Sequence, residues 1–205
     1  MANPYQRKGR GGRPLIIADH TKYIIEKPDI SCPWGVEMVW CILSPKNATA
    51  MSKIQKIMVG SFYSKPNSKA KRELLDHISE VYHLMHSRFK TGLYFIFGAD
   101  CNELKLGDIL NLSPHLKQVV DKPTHNDKIL DPIITDLHTY YQNPIIEKPL
   151  EADSDSDSAS DHKMVLLVPL NTVDNKKKVE KKQIETQAFS EDNFLAMGRF
   201  LEASD

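Results

Sequence analysis

The sequence predicts a layered α/β fold, and two segments carry that prediction. Residues 36–43 (VEMVWCIL) are apolar at nearly every position, so a strand formed here has two apolar faces. Such a strand must be covered on both faces, which is typical of layered α/β proteins. Between residues 69 and 90, apolar residues recur every three or four positions, which predicts an amphipathic helix. We therefore expect two β-layers packed face to face and flanked by helices.

Shorter apolar runs between polar turns predict the remaining strands. In chain order they are 15–17 and 23–25 (read as a hairpin), 54–63, 93–97, 130–137 and 164–168. Ser68 is expected to cap the long helix, and Gly92 is expected to end it.

The composition is that of an ordinary globular domain. The 205 residues are 40% hydrophobic and 26% charged, which allows a core and argues against wholesale disorder. The formal net charge is zero, so any contact with nucleic acid must come from local patches. No apolar run reaches the roughly 18 residues needed to span a bilayer. The three cysteines are odd in number and lack zinc-site spacing, which indicates a reducing compartment.

Three polar segments lie outside the predicted core. A basic cluster at 7–13 lacks the apolar run of a signal peptide, and it is either a nuclear or nucleic-acid patch or a solvated loop. Residues 151–161 alternate aspartate with serine and predict a disordered surface loop. This loop resembles the start of an EF-hand, but Ser158 and Met164 replace the required Gly and Glu, so we expect no metal there. Residues 171–205 predict a charged linker and the start of a further helix.

Polar side chains stand at the ends of the predicted strands, where sites are usually built. They are Asp100 and Asn102 after one strand, Asp131 at the start of the next, and Asp161 and His162 before the last. Carboxylate and amide oxygens with one imidazole suit Mg²⁺ or Mn²⁺ and phosphate chemistry better than zinc. Each signal alone is more typical of an Asx turn or of the beginning of a strand. Only their combination is informative.

Four motifs, taken in order, resemble a known superfamily. They are FYSKPN (62–67), IFGADCNEL (96–104), LDPIITDL (130–137) and Ser-Asp-His (160–162). This succession resembles the endonuclease/exonuclease/phosphatase superfamily, which includes DNase I and the apurinic endonucleases. The resemblance implies an α/β fold of the DNase I-like type, a four-layer αββα sandwich, over residues 1–170.

A closer resemblance is to the endonuclease domain of LINE-type non-LTR retrotransposons of invertebrates. Those proteins have a similar PWGVE strand (here 33–37) and a similar LDPIIT stretch (here 130–135). In them a helix similar to FLAMGRFL (194–201) leads toward a reverse transcriptase. The resemblance implies an endonuclease that nicks DNA to prime reverse transcription. Its partners would be DNA and the reverse transcriptase domain of the same polyprotein, with no membrane, and it would be intracellular, and nuclear if active.

The superfamily resemblance also implies roles for single residues in the attack of water on a phosphodiester. Asp100 would orient or deprotonate the water, and Asn102 would hold that water or a phosphate oxygen. His162 would hydrogen-bond the scissile phosphate while Asp131 accepts from its other ring nitrogen. Tyr63 would contact the phosphate.

The same resemblance implies a metal cofactor, Mg²⁺ or Mn²⁺. Asp161 would help to hold the ion, directly or through water, and the ion would stabilise charge that develops on the phosphate oxygens. Ser160 would order the loop in front of these residues.

Two departures from the superfamily pattern affect these expectations. Gly98 stands one place before its usual position, so Ala99 would be strained if the turn needs a positive φ. The superfamily bears an Asn and a metal-binding Glu well before an Arg-Gly-Gly segment, which here begins at residue 10. Glu26 and Glu37 follow that segment and are not expected to replace the Glu. The domain is therefore expected to be incomplete at its N-terminus and to nick DNA poorly as a 205-residue chain.

Two alternatives remain open. One is a catalytically dead fragment that acts at most as a weak protein- or nucleic-acid-binding module. The other is a lipid or inositol phosphatase of the same fold, although the lysine-rich linker and the C-terminal helix favour the retrotransposon assignment.

Overall fold

The computed structural model describes residues 14–49, 52–66, 70–148 and 161–170. The basic cluster, the Asp/Ser segment up to residue 160, residues 171–205, Ser68 and Ser160 lie outside these ranges. What the sequence predicts for them, including a domain boundary at residue 170, stays a prediction.

More of the described residues lie in strands than in helices, and most of the strands form one mixed sheet. The elements are β1 (Tyr23–Glu26), β2 (Glu37–Pro45), β3 (Lys56–Tyr63), α1 (Lys71–Arg88), β4 (Leu93–Asp100), α2 (Gly107–Leu110), β5 (Lys117–Gln118), β6 (Ile133–Thr135), a 3₁₀ turn (His138–Tyr140), β7 (Ile145–Glu147) and β8 (Met164–Leu166). The six-stranded sheet has the order β1-β2-β3-β4-β6-β5, and its only parallel pair is β3 with β4. β7 and β8 form a second, two-stranded sheet. The predicted α/β class is confirmed. Within the described ranges, no helix has the length and apolar character that crossing a membrane requires.

The helix that the amphipathic pattern at 69–90 predicts is α1, and it forms the crossover between the parallel strands β3 and β4. One stripe of the helix is buried: Leu74, His77, Ile78, Val81, Tyr82 and Met85. It packs against large side chains from the sheet, among them Met38, Trp40, Ile42, Met58, Phe62, Phe95 and Phe97. Each fully buried apolar side chain of this size contributes about 1.5–3 kcal/mol. The core of the described residues is therefore centred on the contact between α1 and the strands β2, β3 and β4.

Strand β2 is apolar on both faces, and its two faces are covered to different degrees. Met38, Trp40 and Ile42 belong to the core shared with α1 and are at most 8% exposed. On the opposite face Cys41 is buried, whereas Val39 is half-buried. The doubly apolar sequence therefore reflects burial on both sides, with the denser packing on the helix side.

A buried hydrogen bond joins β2 to α1. The indole Nε1 of Trp40 donates to Nε2 of His77 over 3.1 Å. Burial lowers the pKa of His77, so the ring is neutral near pH 7. Since Nε2 accepts a hydrogen bond, the ring proton sits on Nδ1. This bond fixes the orientation of the indole against the sheet.

The predicted hairpin at 15–17 and 23–25 is wrong. Residues 14–18 contain no strand, and Leu15 and Ile17 are exposed. β1 instead pairs antiparallel with β2, with Tyr23 opposite Pro45. The nine-residue strand β2 offers a longer row of backbone donors and acceptors than a three-residue local partner.

The boundaries of α1 differ slightly from the prediction. The helix begins at Lys71, with Ala70 rather than Ser68 in the N-cap position and no side-chain cap. It ends at Arg88, before Gly92, because Phe89 already has an extended backbone.

Strand β6 is shorter than the predicted strand at 130–137. Its backbone hydrogen-bond ladder with β4 ends at Thr135, because the side chain of the next residue, Asp136, accepts the following hydrogen bond from β4. The carboxylate of Asp136 accepts the amide of Phe95 over 2.8 Å, in place of a backbone carbonyl. β5 and β7 lack a sequence signal, since two or three residues are too few to show alternation.

Two glycines on neighbouring strands test the packing of the indole. A Cβ at Gly60 would lie 2.8 Å from both Met38 Cε and Trp40 Cζ3, and the indole cannot yield easily because His77 holds it. We expect Gly60→Ala to lower the free energy of unfolding by about 1–3 kcal/mol, as overpacking does. Gly98→Ala is the matched control and should be neutral or slightly stabilising, because a Cβ there meets nothing within 4 Å. Urea denaturation measures both, and equal stabilities would contradict a fixed indole.

Candidate active site

Three adjacent strands bring polar side chains to one edge of the sheet. Tyr63 ends β3 and Asp100 ends β4, and the parallel register places them side by side. Glu37 begins β2 opposite Tyr63. Paired residues project from the same face of a sheet, and the neighbours Met38 and Phe62 pack in the core with α1. The three polar side chains therefore lie on the face away from α1.

A tight turn after β4 fixes Asp100 and Asn102. Asn102 has a φ of 44°, in the left-handed region that Asn tolerates better than most residues. Its Nδ2 donates to Oδ1 of Asp100 and to the carbonyl of Ser64, each over 2.9 Å. The amide of Ser64 donates in turn to the carbonyl of Asp100 over 2.9 Å. These bonds lock the ends of β3 and β4 together.

The displaced glycine does not strain this turn. β4 continues through Ala99 to Asp100, so Ala99 has an extended backbone without a positive φ. A Cβ at Gly98 would meet nothing within 4 Å, so packing does not require a glycine there. The condition for strain at Ala99 is not met, because the left-handed residue of the turn is Asn102.

A buried threonine positions Asp131. The Oγ1 of Thr124, which is 0% exposed, accepts from the amides of Leu130 and Asp131 over 3.0 Å each. Cys101 directly follows Asp100 in sequence, and its amide donates to the carbonyl of Leu130 over 2.8 Å. The loop before β6 is thereby tied to the end of β4.

His162 is held by Asp131. Its Nδ1 lies 3.0 and 2.9 Å from the two carboxylate oxygens. The carbonyl of Thr124 also anchors this segment, since it accepts from the amide of Lys163 over 2.7 Å. With Nδ1 donating to the carboxylate, Nε2 is the nitrogen that can serve in proton transfer or phosphate contact.

The electrostatics of the cluster raise the pKa of both His162 and Asp100. Burial disfavours the imidazolium of His162, but the hydrogen bond to Asp131 and the charges of Asp131, Asp100 and Asp161 outweigh it and raise the pKa of His162. Burial also raises the pKa of Asp100, opposed by the charge of His162 and reinforced by that of Asp131. Perturbed pairs of this kind are typical of functional sites.

The structure brings together the residues that the motifs single out. Carboxylate oxygens of Asp100 and Asp131 and a ring nitrogen of His162 lie within 4.8 Å of one another, and Asn102 contacts Asp100. Burial, followed by the charge of Asp100, raises the pKa of Tyr63, so the phenol keeps its proton and can donate. The expected convergence at one edge is observed, and the catalytic roles stay predictions.

Asp161 lies beside this cluster and contacts a residue that sequence patterns do not single out, His125. Nε2 of His125 donates to the Asp161 carboxylate over 2.7 Å, and this bond lowers the pKa of the exposed Asp161. The ring of His125 also lies against that of His162, with centroids 4.7 Å apart. These three residues form a second group of possible ligands within 4.8 Å. The one sequence signal for His125 is its polar turn (124–127) just before a predicted strand.

Glu26 and Glu37, whose sequence positions argue against a role as the metal-binding Glu, lie at opposite ends of the sheet. Glu26 forms an ion pair with Lys56 at the start of β3, far from the candidate site. Glu37 lies at the same edge as Asp100, and its carboxylate is 2.6 Å from Nζ of Lys65. Glu37 is thus the closer acidic neighbour, although it is engaged by a lysine.

The donor set fits a hard divalent cation. Carboxylate oxygens suit Mg²⁺, and Mn²⁺ also accepts the imidazole nitrogens that lie nearby. Asp131 directs both of its oxygens toward His162, which makes Asp100 and Asp161 the carboxylates better placed to serve a metal.

Comparison with known proteins finds similar solved structures but no matching sequence family. A scan against protein-family models finds no match, and a search of curated proteins finds none. Truncated Caenorhabditis elegans TDP2 is similar with a TM-score of 0.48 and 15% identity, over 71% of this chain and 65% of that one. The human Nocturnin catalytic domain with bound sulfate anion is similar with a TM-score of 0.45 and 11% identity, over 73% and 61%. The chain thus spans less than two thirds of either structure.

Substitution of Asp131 tests the pairing in the metal-free protein. Asp131→Asn keeps the shape of the side chain but removes a charge that raises the pKa of His162. We expect the pKa of His162 to fall, as measured by ring-proton NMR titration in the presence of a chelator. Asp121→Asn, at an exposed aspartate, is the control and should leave the titration unchanged. An unaltered pKa in Asp131→Asn would show that this carboxylate does not hold the ring.

Proposed function

We propose that this edge of the sheet hydrolyses phosphodiester bonds with the help of a divalent cation. The observation that carries the proposal is the convergence of Asp100, Asn102, Asp131 and His162 from three separate segments of the chain. The charge of Asp131 contributes to the raised pKa of Asp100, and a cation bound beside Asp100 would favour its ionised form. The negative charge of a bound phosphate would balance the imidazolium, and the positive charge of a metal ion would balance the carboxylates.

In the proposed reaction, water attacks phosphorus in line with the leaving oxygen. Asp100 takes a proton from that water, a role that its raised pKa suits. Asn102, hydrogen-bonded to Asp100, orients the water or a phosphate oxygen. The bond from phosphorus to the 3′-oxygen breaks, and that oxygen takes a proton from solvent.

His162 and Tyr63 stabilise the phosphate. The imidazolium of His162, held by Asp131, donates from Nε2 to an oxygen of the phosphate. The phenol of Tyr63, beside Asp100, donates a second hydrogen bond. Hydrogen bonds from donors fixed in this way become stronger as negative charge grows on the phosphate oxygens in the transition state.

Asp161 is proposed to help hold Mg²⁺ or Mn²⁺, directly or through water. When bound, the ion supplies positive charge that neutralises the phosphate oxygens. The hydrogen bond from His125 fixes the Asp161 carboxylate and so adds a positioning residue to the site.

We further propose that the substrate is DNA and that residues 1–170 are the endonuclease domain of a retrotransposon polyprotein. The support is the order of the motifs, the PWGVE strand at 33–37 and the FLAMGRFL segment at 194–201. On this proposal the domain is a four-layer DNase I-like sandwich that acts in the nucleus. Its nick leaves a 3′-hydroxyl, which primes the attached reverse transcriptase.

Nicking of supercoiled plasmid DNA tests the reaction and the substrate. With the full chain in excess and Mg²⁺ or Mn²⁺ present, we expect slow conversion to open-circular DNA. Asp100→Asn and His162→Ala should each lower the rate about a hundred- to a thousandfold, as loss of one preorganised group does. Asp76→Asn and His83→Ala, both exposed on α1, are matched controls and should keep the rate.

The outcomes separate the alternatives. Phosphate release from lipid or inositol phosphates without nicking would favour a phosphatase. Nicking that survives both site substitutions would remove the residue assignments. Absence of hydrolysis with intact cation binding would leave a non-catalytic binding module.

Cation binding can be measured without turnover. Paramagnetic Mn²⁺ should broaden the ring signals of His125 and His162 at concentrations that leave those of His77 and His83 sharp. Asp161→Asn should weaken this effect about tenfold or more, as loss of a metal-site partner does. Asp153→Asn, in the Asp/Ser segment, should not change it. Broadening that begins at His83 would contradict the proposed metal position.

A further inference from the structure

A cavity lies at the far end of β4 from the candidate active site. Its volume is about 570 Å³, and it lies between the end of α1, the start of β4 and the segments 113–115 and 136–140. β4 has eight residues and rises about 3.3 Å per residue, so its two ends are roughly 20 Å apart or more. A ligand in this cavity would leave Asp100 accessible.

Aromatic rings form much of the cavity wall. Tyr82 and His86, which both line the cavity, lie one helical turn apart on α1 with ring centroids 4.5 Å apart. Tyr94 and Tyr140, which also line the cavity, form an edge-to-face pair at 6.4 Å. Such walls favour a flat aromatic ligand over a flexible aliphatic chain.

Two imidazole nitrogens here lack a hydrogen-bond partner within the described residues. They are Nε2 of His86 and Nδ1 of His138, and both atoms are shielded from solvent. Because both atoms are sealed from solvent, they do not open onto the cavity, and a ligand there can bond only to the other ring nitrogens, Nδ1 of His86 and Nε2 of His138. Burial lowers the pKa of His86, so its neutral ring can act as a donor or an acceptor, depending on the tautomer.

Asp136 adds a carboxylate to the same wall. One of its oxygens accepts from the amide of Phe95 over 2.8 Å, which fixes the side chain. Burial raises the pKa of Asp136 to about 6, so the group is mostly ionised at neutral pH although it is poorly solvated. A carboxylate in this position favours a ligand that brings N–H donors.

A metal ion or an organic cation fits this wall less well. Among the described residues, ligand atoms that approach within 4.8 Å of one another as a group are found only at the candidate active site. The imidazoles of His86, His115 and His138 are therefore not arranged with Asp136 around one ion. The exposed Lys90, which also lines the cavity, disfavours a cationic ligand.

We propose that this cavity binds a guanine-type purine base. Guanine presents a ring N–H and an exocyclic amine on one edge, and these adjacent donors match the carboxylate of Asp136. Its O6 and N7 are acceptors for an N–H on Nδ1 of His86 or on Nε2 of His138. Its flat rings suit the aromatic wall, and a cavity of this volume accommodates a nucleoside. Adenine lacks the ring N–H on that edge and should bind less tightly.

Titration of the full chain with guanosine, followed by the ring-proton NMR signals of its histidines, tests the proposal. We expect shifts at His86 and His138 and none at His125 or His162. Asp136→Asn should weaken binding roughly ten- to a hundredfold, because a hydrogen bond to a charged group is lost while the amide oxygen still accepts from Phe95. Adenosine should bind the unmodified chain about tenfold less tightly.

A second variant covers the case in which Asp136→Asn does not fold. His138→Phe keeps an aromatic ring but removes both ring nitrogens, and it should also weaken guanosine binding. Asp121→Asn is the control and should leave guanosine binding unchanged. Shifts confined to His125 and His162, equal binding of guanosine and adenosine, or binding unaffected by both variants would overturn the proposal. A short oligothymidylate with one central guanine identifies the source of the base. Tighter binding than guanosine indicates an unpaired guanine in nucleic acid, and weaker binding indicates a free nucleoside or nucleotide.

Discussion

The parallel pairing of β3 with β4 is the constraint on which the rest of the structure depends. Parallel neighbours need a crossover, and α1 supplies it by burying its apolar stripe against the sheet. Because the register pairs Tyr63 with Asp100, both side chains project from the same edge and face. A slip of one residue would turn one of them toward the helix. The geometry of the candidate site is therefore set by core packing, including the buried bond from Trp40 to His77.

The other half of the site depends on one buried threonine. The hydroxyl of Thr124 accepts from the amide of Asp131, and its carbonyl accepts from that of Lys163. Asp131 and His162 are 31 positions apart in sequence, yet both are fixed relative to this residue. Strands β6 and β8, of three residues each, can position site groups because Thr124 supplies the anchoring that longer ladders would otherwise provide.

The residues that sequence patterns locate are those whose position depends on local signals. Asp100 follows a visible apolar run, and α1 shows its own period, so both could be predicted from the chain. His125 could not be predicted, because its connection to the site is a hydrogen bond to Asp161, 36 positions away in sequence. The hairpin at 15–17 failed for the same reason, since the partner of β1 is chosen by the tertiary packing of β2. The cavity around Asp136 has no sequence signal either, because its walls come from four segments of the chain.

Two carboxylates, Asp100 and Asp136, stand near opposite ends of β4, and both oppose folding at neutral pH. Burial raises the pKa of each, so the folded protein binds their protons more tightly than the unfolded chain does. The stability that such a group contributes is present below its unfolded pKa and is lost as pH rises through the folded value, which for Asp136 is about 6. For Asp100 the charge of His162 offsets part of this loss. For Asp136 the compensation within the protein is led by the amide of Phe95, and the N–H donors of a ligand would add to it. Carboxylates kept in such positions despite their cost to stability are more typical of function than of packing.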